Sequence, residues 1–481
     1  MKSKNCLKAF TALLCIMMIL PLFGTAPASA NSAMTWWEGT ESSGVIITDR
    51  ECPVVVESEL LTFNIQDFPS VYYQSADEYI AYSSQVTAEY TFYNPGDYAV
   101  TAKLLFPFGC LPAYGEGYYD DRLESYTAMD DTEKFDITVN GRIIEKHLRH
   151  TLLNEKLTFQ LEEDIAKLRD GYIEDEFYYP EMPVTKYTYA ISGIDKERYP
   201  AANAAFDVPV FNGKRKLLFA DQSGQCLQKN NTMRISAWAN YEETMTLYVI
   251  GAPFDTMPQW KIYKDGGTED GAEIPGNLAL VSIEKLTFKD LAFTAYSNES
   301  GIIASDWYNA AVANFNGKTD AWGIVSCTKY DFDISDSLMR WYEYEIHIDP
   351  GERIVNAVTA PMYPTIDQSW NPFVYGYTYL LSPAKTWTEF GSLEIVIHTP
   401  YYMTESGIEG FMKTETGYRL ALTGLPDCEL TFTLSTEENP KAPAEAVISS
   451  LFRKGAPLLG AIVAAFLIVF VLVFVIGRKK R

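Results

Sequence analysis

The sequence predicts a mainly β protein, with a tandem antiparallel β-sandwich-like ectodomain, a few short helices and one C-terminal transmembrane helix. Three observations lead to this fold class. Aromatic residues, which suit half-buried pleated surfaces, make up 14% of the chain. Several segments alternate apolar and polar side chains with the period of two that is typical of strands with one buried face. Residues 456–477 carry no charge and are long enough, as a helix, to cross a bilayer.

The N-terminal residues 1–30 have the pattern of a secretory signal peptide. Lysines precede a short apolar core at 13–20, and the small residues at 28–30 fit the pattern that signal peptidase accepts. We therefore expect the mature chain to begin at Asn31 and to enter an oxidising compartment outside the cytoplasm.

The C-terminal residues predict a membrane anchor. A polar, proline-containing stalk at 436–455 leads to the apolar helix 456–477, and the basic tail 478–481 follows at once. Because basic residues stay on the cytoplasmic side of a span, the tail lies inside and the ectodomain outside. This predicts a single-pass type I protein of the cell membrane, with an extracellular ectodomain and a cytoplasmic C terminus.

The clearest strand signal lies in the first β-rich segment, residues 31–155. Apolar side chains alternate from 86 to 92, turn-forming residues occupy 94–97, and strand composition resumes at 98–106. This pattern predicts a hairpin with one buried face. A second alternation at 135–139 runs into Asn140-Gly141, which is a strong two-residue hairpin turn signal.

Part of this segment resembles a known module. The run Val86-Thr87-x-x-Tyr90-x-Phe92-x-Asn94, the Phe106-Pro107 ending and Val139-Asn140-Gly141-Arg142 resemble the VIT domain of vault poly-ADP-ribosylating proteins and inter-alpha-trypsin inhibitor heavy chains. The resemblance covers residues 50–155 and implies a β-sandwich, but it implies no activity. The whole layout is also similar to that of a group of exported, membrane-anchored bacterial proteins.

Two further segments complete the predicted ectodomain. Residues 156–200 form a connector, in which apolar residues at 161, 165 and 168 before Gly171 predict a short amphipathic helix. Residues 201–435 form a second β-rich domain with a helix at 306–315 that Ser305 or Asp306 would cap. Strand patterns lie at 185–191, 234–238, 247–250, 279–283, 341–348, 393–397 and 430–434.

Charge and cysteine content limit the partners. The chain has 63 acidic and 39 basic residues, a formal net charge of −24, which repels nucleic acid and excludes it as a partner. The mature chain retains five cysteines without a C-x-x-C pair, so their pairing is open: they form one or two disulfides or act as small buried side chains. These cysteines are Cys52, Cys110, Cys226, Cys327 and Cys428.

One triad has the spacing of a metal site. Asp333, Ser335 and Ser337 match the Asp-x-Ser-x-Ser pattern, in which a carboxylate and two hydroxyls hold a divalent cation. Calcium or another divalent cation is the cofactor that this triad would bind. The alternative is ordinary turn chemistry, because Ser and Asp are common turn residues and no buried parallel strand precedes the triad.

Aromatic residues in predicted loops supply candidate ligand-binding positions. Tyrosine and tryptophan rings can stack on sugars, but they also fill the cores and rims of sandwiches. The loop-like positions are Tyr118, Tyr119, Trp370, Tyr401 and Tyr402.

The function predicted from these features is binding. The chain lacks a Gly-x-Ser-x-Gly elbow and a phosphate-binding loop. We therefore expect an extracellular interaction protein with a protein or glycan partner in the bacterial envelope. An envelope enzyme such as a carboxylate-dependent glycan hydrolase is the alternative, and an accessory subunit of a membrane complex is a second alternative.

Overall fold

A computed structural model describes most of the predicted ectodomain. The predicted signal peptide, transmembrane helix and basic tail lie outside the described residues, as does the stalk after residue 441. Within the described ranges, no helix is long and apolar enough to cross a membrane. The described residues are 36–37, 41–47, 52–69, 82, 84–109, 118–120, 125–127, 135–153, 160–209, 213–228, 232–239, 244–266, 268, 272–298 and 300–441.

The observed fold is mainly β, as predicted. The helices are α1 (Leu161–Ile165), α2 (Phe288–Ala292) and α3 (Ala304–Gly317). The strands are β1 (Trp36–Trp37), β2 (Glu41–Ser43), β3 (Ile46–Ile47), β4 (Val55–Asn64), β5 (Gln85–Tyr93), β6 (Val100–Gly109), β7 (Tyr118–Asp120), β8 (Ser125–Thr127), β9 (Asp136–Val139), β10 (Arg142–Ile143), β11 (His147–Leu152), β12 (Pro183–Ser192), β13 (Asn203–Pro209), β14 (Arg215–Phe219), β15 (Gln222–Leu227), β16 (Thr232–Trp238), β17 (Thr244–Gly251), β18 (Trp260–Tyr263), β19 (Asn277–Thr287), β20 (Ile324–Val325), β21 (Leu338–Ile348), β22 (Arg353–Pro361), β23 (Thr365–Asp367), β24 (Val374–Leu380), β25 (Phe390–His398), β26 (Tyr402–Ser406), β27 (Met412–Thr414), β28 (Gly417–Thr423) and β29 (Leu430–Ser435).

The chain divides into two compact units. The smaller unit includes, among the described residues, 36–37, 366–374 and 439–441. In it Trp36 pairs with Asp367 in antiparallel register, and Asn371 forms a β-bridge to Lys441. The other described residues belong to the larger unit, which contains both sandwiches described below.

The first part of the larger unit is a sandwich that we call the closed sandwich. One layer is an eight-stranded sheet in the order β10-β9-β22-β5-β4-β25-β28-β27. The other layer consists of the sheets β11-β21-β6-β3 and β2-β24-β29-β26. Aromatic side chains fill the space between the layers. Phe63 of β4, for example, contacts both Tyr379 and Phe432 of the facing layer.

The predicted hairpin at 86–106 is wrong, because its two strands lie in different layers. β5 pairs with β4 and β22, whereas β6 pairs with β21 and β3. Buried Asn94 holds this crossing: its Nδ2 donates to the carbonyls of Tyr98 and Ile348 at 2.8 and 3.1 Å, and its Oδ1 accepts from Gly96 N at 2.9 Å. The backbone groups of β5 and β6 that a hairpin would have joined bond instead to these other strands.

The second part of the larger unit is inserted into the first. β11 pairs with β21 in register from His147↔Glu343 to Leu152↔Leu338. The chain therefore leaves this sheet after β11 and re-enters it at β21, the strand next to β11. This inserted sandwich packs the sheet β19-β12-β17-β14-β20 against the sheet β15-β16-β13-β18. Helices α2 and α3 cover the outer face of the first of these sheets.

Strand pairing crosses the predicted domain boundaries at 155 and 200. Strands from the predicted first domain share the closed sandwich with strands from the C-terminal part of the predicted second domain, since β4 pairs in parallel with β25. β12, from the predicted connector, is a strand of the inserted sandwich. The predicted helix at 161–169 is shorter in the structure, where α1 ends at Ile165.

A buried ion pair joins the two sandwiches. Arg149 of β11 donates from Nε to Asp306 Oδ2 at 3.0 Å and from Nη1 to Glu343 Oε2 at 3.2 Å, and the His150 backbone N–H also donates to Asp306 Oδ2 at 2.9 Å. The predicted capping role of Asp306 or Ser305 is wrong: the N-cap residue of α3 is Ile303. Asp306 instead supplies the most buried of the carboxylates that neutralise the Arg149 guanidinium.

Candidate functional site

The predicted metal triad forms a local turn. Ser335–Ser337 is a 3₁₀ turn just before β21, and Asp333 Oδ1 accepts hydrogen bonds from Ser335 N at 3.0 Å and from Ser335 Oγ. Asp333, Ser335 and Ser337 are exposed. No group of three or more His, Cys, Asp or Glu side chains is placed to hold a metal ion in the part of the chain that the structure describes.

The predicted aromatic positions are dispersed. Tyr118 and Tyr119 lie on the short strand β7, which pairs with β8. Trp370 is half-buried in the smaller unit. Tyr401 stacks on Phe68 at 3.9 Å and donates to the Gln66 carbonyl at 3.1 Å.

Tyr402 is more open than Trp370 and Tyr401. Its side chain is exposed, and the Lys413 ammonium lies 5.0 Å from its ring centroid. These three positions do not line the cleft described next.

A cleft of about 450 Å³ opens at one edge of the inserted sandwich. β19 is the edge strand of one sheet and β18 the edge strand of the other, so the cleft lies where the two layers separate. We call it the edge cleft. Its lining residues are Tyr189, Met257, Pro258, Gln259, Trp260, Lys261, Ile262, Glu273, Ile274, Gly276, Asn277, Leu278 and Leu280.

Strand register brings the two walls of the edge cleft together. Tyr189 of β12 and Leu280 of β19 are cross-strand partners, so their side chains point to the same face. After β18 the chain turns back, and Ile274 N donates to the Ile262 carbonyl at 2.8 Å. Gly276 then passes close over Ile262: an added Cβ would lie 2.5 Å from Ile262 Cδ1, so a larger residue here would require the Ile262 side chain to move.

Val281, next to Leu280, is the extra residue of a β-bulge in β19. The register of β19 on β12 shifts between Ser282↔Thr188 and Leu280↔Tyr189, which leaves Val281 without a cross-strand partner. Val281 is 62% exposed and is not part of the cleft wall, whereas Leu280 is 43% exposed and is part of it. The two neighbours therefore differ in whether they face the cleft.

Two buried polar atoms in the cleft wall lack partners. Tyr189 Oη and Trp260 Nε1 have no hydrogen-bond partner among the described residues, although the Tyr189 side chain is almost fully buried. Their rings meet at 5.0 Å in an edge arrangement. Burial raises the pKa of Tyr189, and the nearby indole N–H of Trp260 partly opposes this rise. Both atoms are buried, so the two rings and not these atoms border the cleft.

The charges at the edge cleft neutralise each other. Lys261 Nζ is 3.2 Å from Glu273 Oε1, and both side chains are partly exposed. The rest of the wall is mixed, with the polar side chains of Gln259 and Asn277 beside apolar ones such as Leu278 and Leu280. A concave site that combines both kinds of group can hold a small molecule.

The closed sandwich contains a different buried polar cluster. Glu59 of β4 is 1% exposed; its Oε1 lies 3.5 Å from the Tyr379 hydroxyl, and its Oε2 has no hydrogen-bond partner within the described ranges. The Tyr90 hydroxyl beside it accepts from Val45 N at 3.1 Å. Burial raises the pKa of Glu59 to about 7. Hydrogen bonds from the Tyr90 and Tyr379 hydroxyls lower this pKa, but by less than burial raises it.

The cysteines supply no site. Cys226, Cys327 and Cys428 are free thiols, Cys52 is buried, and Cys110 lies outside the described residues. Burial raises the pKa of the Cys327 thiol to about 12, which keeps it protonated and unreactive at neutral pH.

Comparisons with known proteins give little guidance. The chain matches no protein-family model and no curated protein. Among solved structures it is similar to a "putative nutrient binding protein" from Legionella pneumophila, with a TM-score of 0.32 and 10% sequence identity, over 83% of this chain and 72% of that chain. This likeness is too weak to support a conclusion about fold or function.

Proposed function

We propose that this chain is a membrane-anchored extracellular binding protein of the bacterial envelope, and that the edge cleft holds its ligand. The observation that carries the proposal is the cleft of about 450 Å³ beside the edge strands β18 and β19, which is lined by both polar and apolar side chains. Concave sites of this size commonly hold small ligands.

The composition of the cleft favours binding over catalysis. A carboxylate-dependent hydrolase needs two carboxyl groups on opposite sides of the scissile bond. Among the residues described around the edge cleft, Glu273 is the acidic one, and it already pairs with Lys261. The mixed polar and apolar wall suits recognition of an intact ligand.

The anchoring half of the proposal rests on sequence. The signal peptide 1–30, the apolar segment 456–477 and the basic tail 478–481 support export and retention in the cell membrane. Protease added to intact protoplasts should digest the ectodomain, and alkaline carbonate should leave the chain in the membrane pellet. Release of the chain by carbonate would contradict the proposed anchor.

The ligand-binding half is tested with two neighbouring variants. Leu280→Arg places a long charged side chain at the cleft wall, whereas Val281→Arg places the same side chain on the bulge beside it. The apparent melting temperature of the full-length protein is measured with a panel of sugars, amides, alcohols, amino acids and organic acids. A ligand at 100 times its Kd should add about 2.7 kcal/mol of stability.

We expect at least one compound to stabilise the wild-type protein and Val281→Arg but not Leu280→Arg. If every stabilising compound acts equally on both variants, or none stabilises the wild type, the edge cleft is not the ligand site.

A further inference from the structure

The smaller unit carries aromatic residues on a loop that lies next to the chain leading to the predicted membrane anchor. We infer that this loop, residues 368–373, rests on the lipid bilayer, with Trp370 and Phe373 at the level of the lipid headgroups. The inference rests on the proposed function, because it takes the transmembrane helix 456–477 from it, and it adds a second contact with the membrane.

The loop 368–373 is held by backbone pairing to the segment that precedes the predicted anchor. Asn371 N donates to the Lys441 carbonyl at 3.2 Å, and Lys441 N donates to the Asn371 carbonyl at 2.8 Å. Trp370 and Phe373 lie on the same loop, on either side of Asn371. The backbone of the loop is therefore fixed beside Lys441, the last residue that the structure describes.

The length of the intervening chain keeps the loop near the bilayer. Residues 442–455 separate Lys441 from Ala456, where the predicted transmembrane helix begins. A segment of that length spans about 20 Å either as a flexible coil or as an α-helix. A surface tethered at such a distance meets the bilayer at a high effective concentration, so a weak affinity for lipid is enough to hold it there.

The side chains of the loop suit the membrane interface. Phe373 is 40% exposed and Trp370 is half-buried, so both rings are accessible to a surface outside the protein. Tryptophan is enriched at the level of the lipid headgroups, where its ring meets apolar groups and its N–H stays in contact with water. An exposed phenylalanine ring lowers its free energy when it leaves water.

Charge also favours the smaller unit as the part of the ectodomain that approaches lipid. The whole chain has 63 acidic and 39 basic residues, and its negative field is repelled by anionic lipids. The described residues of the smaller unit carry one charge of each sign, on Asp367 and Lys441. Asp367 accepts hydrogen bonds from the backbone N–H and the hydroxyl of Ser369, whereas Lys441 is exposed and available to a lipid phosphate. This unit therefore meets less repulsion than an average part of the acidic ectodomain.

The test uses the full-length protein in vesicles of phosphatidylcholine and phosphatidylglycerol, in which part of the phosphatidylcholine carries brominated acyl chains. Bromine quenches tryptophan fluorescence at short range, and the predicted helix 456–477 contains no tryptophan, so the quenching reports on the ectodomain. Phe373→Trp adds a reporter to the loop. Its matched control, Tyr98→Trp, adds a reporter at an exposed position of the closed sandwich.

We expect Phe373→Trp to raise the amount of emission that brominated lipid quenches about twofold, because it doubles the number of tryptophans on the loop. Trp370→Phe should remove most of the quenched emission. Tyr98→Trp, and Trp322→Phe at an exposed position of the inserted sandwich, should leave the quenched emission unchanged.

The inference and the proposed anchor fail in different ways, because flotation of the same vesicles in alkaline carbonate tests the anchor by itself. A chain that floats with the vesicles, but whose Phe373→Trp variant is quenched no more than Tyr98→Trp, would overturn the loop contact and leave the anchor intact. A chain that carbonate strips from the vesicles, with no loop quenching beforehand, would overturn both. Emission from Phe373→Trp that depends on the number of copies per vesicle and not on brominated lipid would overturn the inference in favour of a second copy of the chain as the occupant.

Discussion

The closed sandwich and the inserted sandwich each bury polar atoms that lack partners, but they do so in different surroundings. In the closed sandwich, Glu59 Oε2 lies between two layers of packed aromatic side chains. In the inserted sandwich, Tyr189 Oη and Trp260 Nε1 lie on the wall of a cleft of about 450 Å³. The first atom belongs to a carboxyl group, whereas the other two belong to neutral groups whose rings border the cleft.

The difference shows that the chemical type of an unpaired buried atom decides its effect on stability. A buried carboxyl group lowers its free energy by staying protonated, so it makes folding sensitive to pH. A buried tyrosine hydroxyl or indole N–H keeps its proton near neutral pH, so it adds no such sensitivity. The same structural anomaly is thus expected to make stability pH-dependent in one region and not in the other.

The largest loss of stability is expected when the buried Arg149–Asp306 ion pair, which joins the two sandwiches, is broken. Asp306→Ala removes the carboxylate that faces Arg149 and leaves a buried guanidinium with only its Glu343 and Asp170 contacts. We expect the free energy of unfolding to fall by about 3–5 kcal/mol, measured by urea denaturation.

The matched control for Asp306→Ala is Glu394→Ala. The Glu394–Arg419 pair is largely exposed, so its loss should lower the free energy of unfolding by less than about 1 kcal/mol. Equal losses in the two variants would show that burial does not set the strength of these pairs.

The next largest effect is the pH dependence of folding stability that the buried Glu59 causes. Because the folded-state pKa is raised from 4.5 to about 7, folding holds a proton that the unfolded chain releases, and stability falls as pH rises from about 4.5 to 7. Glu59→Gln removes this loss. We expect the variant to match the wild type near pH 4 and to exceed it by about 3 kcal/mol above pH 7, measured by urea denaturation at each pH. A constant difference across this range would contradict a sealed, neutral Glu59.

The smallest changes in the free energy of unfolding are expected when two tyrosine hydroxyls, those of Tyr344 and Tyr189, are removed. The Tyr344 hydroxyl donates to Asn356 Oδ1 at 2.9 Å inside the closed sandwich, so Tyr344→Phe leaves an unpaired acceptor and should cost about 1–2 kcal/mol. The Tyr189 hydroxyl has no partner, so Tyr189→Phe should change the free energy of unfolding by less than about 0.5 kcal/mol. A loss at Tyr189 as large as that at Tyr344 would show that its hydroxyl is already satisfied in the free protein.

Local sequence chemistry predicted individual strands and turns well. Asn140 and Gly141 adopt positive φ angles of 49° and 74°, as the predicted two-residue turn requires. Tyr342, Tyr344 and the following alternate residues of β21 are buried, as their alternation predicts. Trp341, on the other face, is also buried because residues of the α1 segment pack against it, which no period-two pattern can reveal.

Long-range pairing was not predictable from these patterns. The segment 86–106 has the composition of a hairpin, but its two strands find their partners in distant segments of the chain. The pairing of β11 with β21 across the inserted sandwich joins residues far apart in sequence. The resemblance of residues 50–155 to the VIT domain stays a prediction, as does the membrane anchor.

The candidate site was missed for a similar reason. Tyr189, Trp260 and Leu280 come from three strands, and none of them lies in a recognisable motif. A search for conspicuous spacing selected Asp333 and its serine neighbours, which the structure places in a turn stabilised by its own side chains. Cross-strand register and the separation of the two layers form the edge cleft, and neither follows from local sequence patterns.

The most direct test of the edge cleft as a binding site is native mass spectrometry of the full-length protein, extracted gently from its own membranes. We compare the wild type with Leu280→Arg and Val281→Arg. The account predicts that a small molecule remains bound to the wild type and to Val281→Arg and is lost from Leu280→Arg. The same bound mass on all three proteins, or no bound molecule on any, would contradict it.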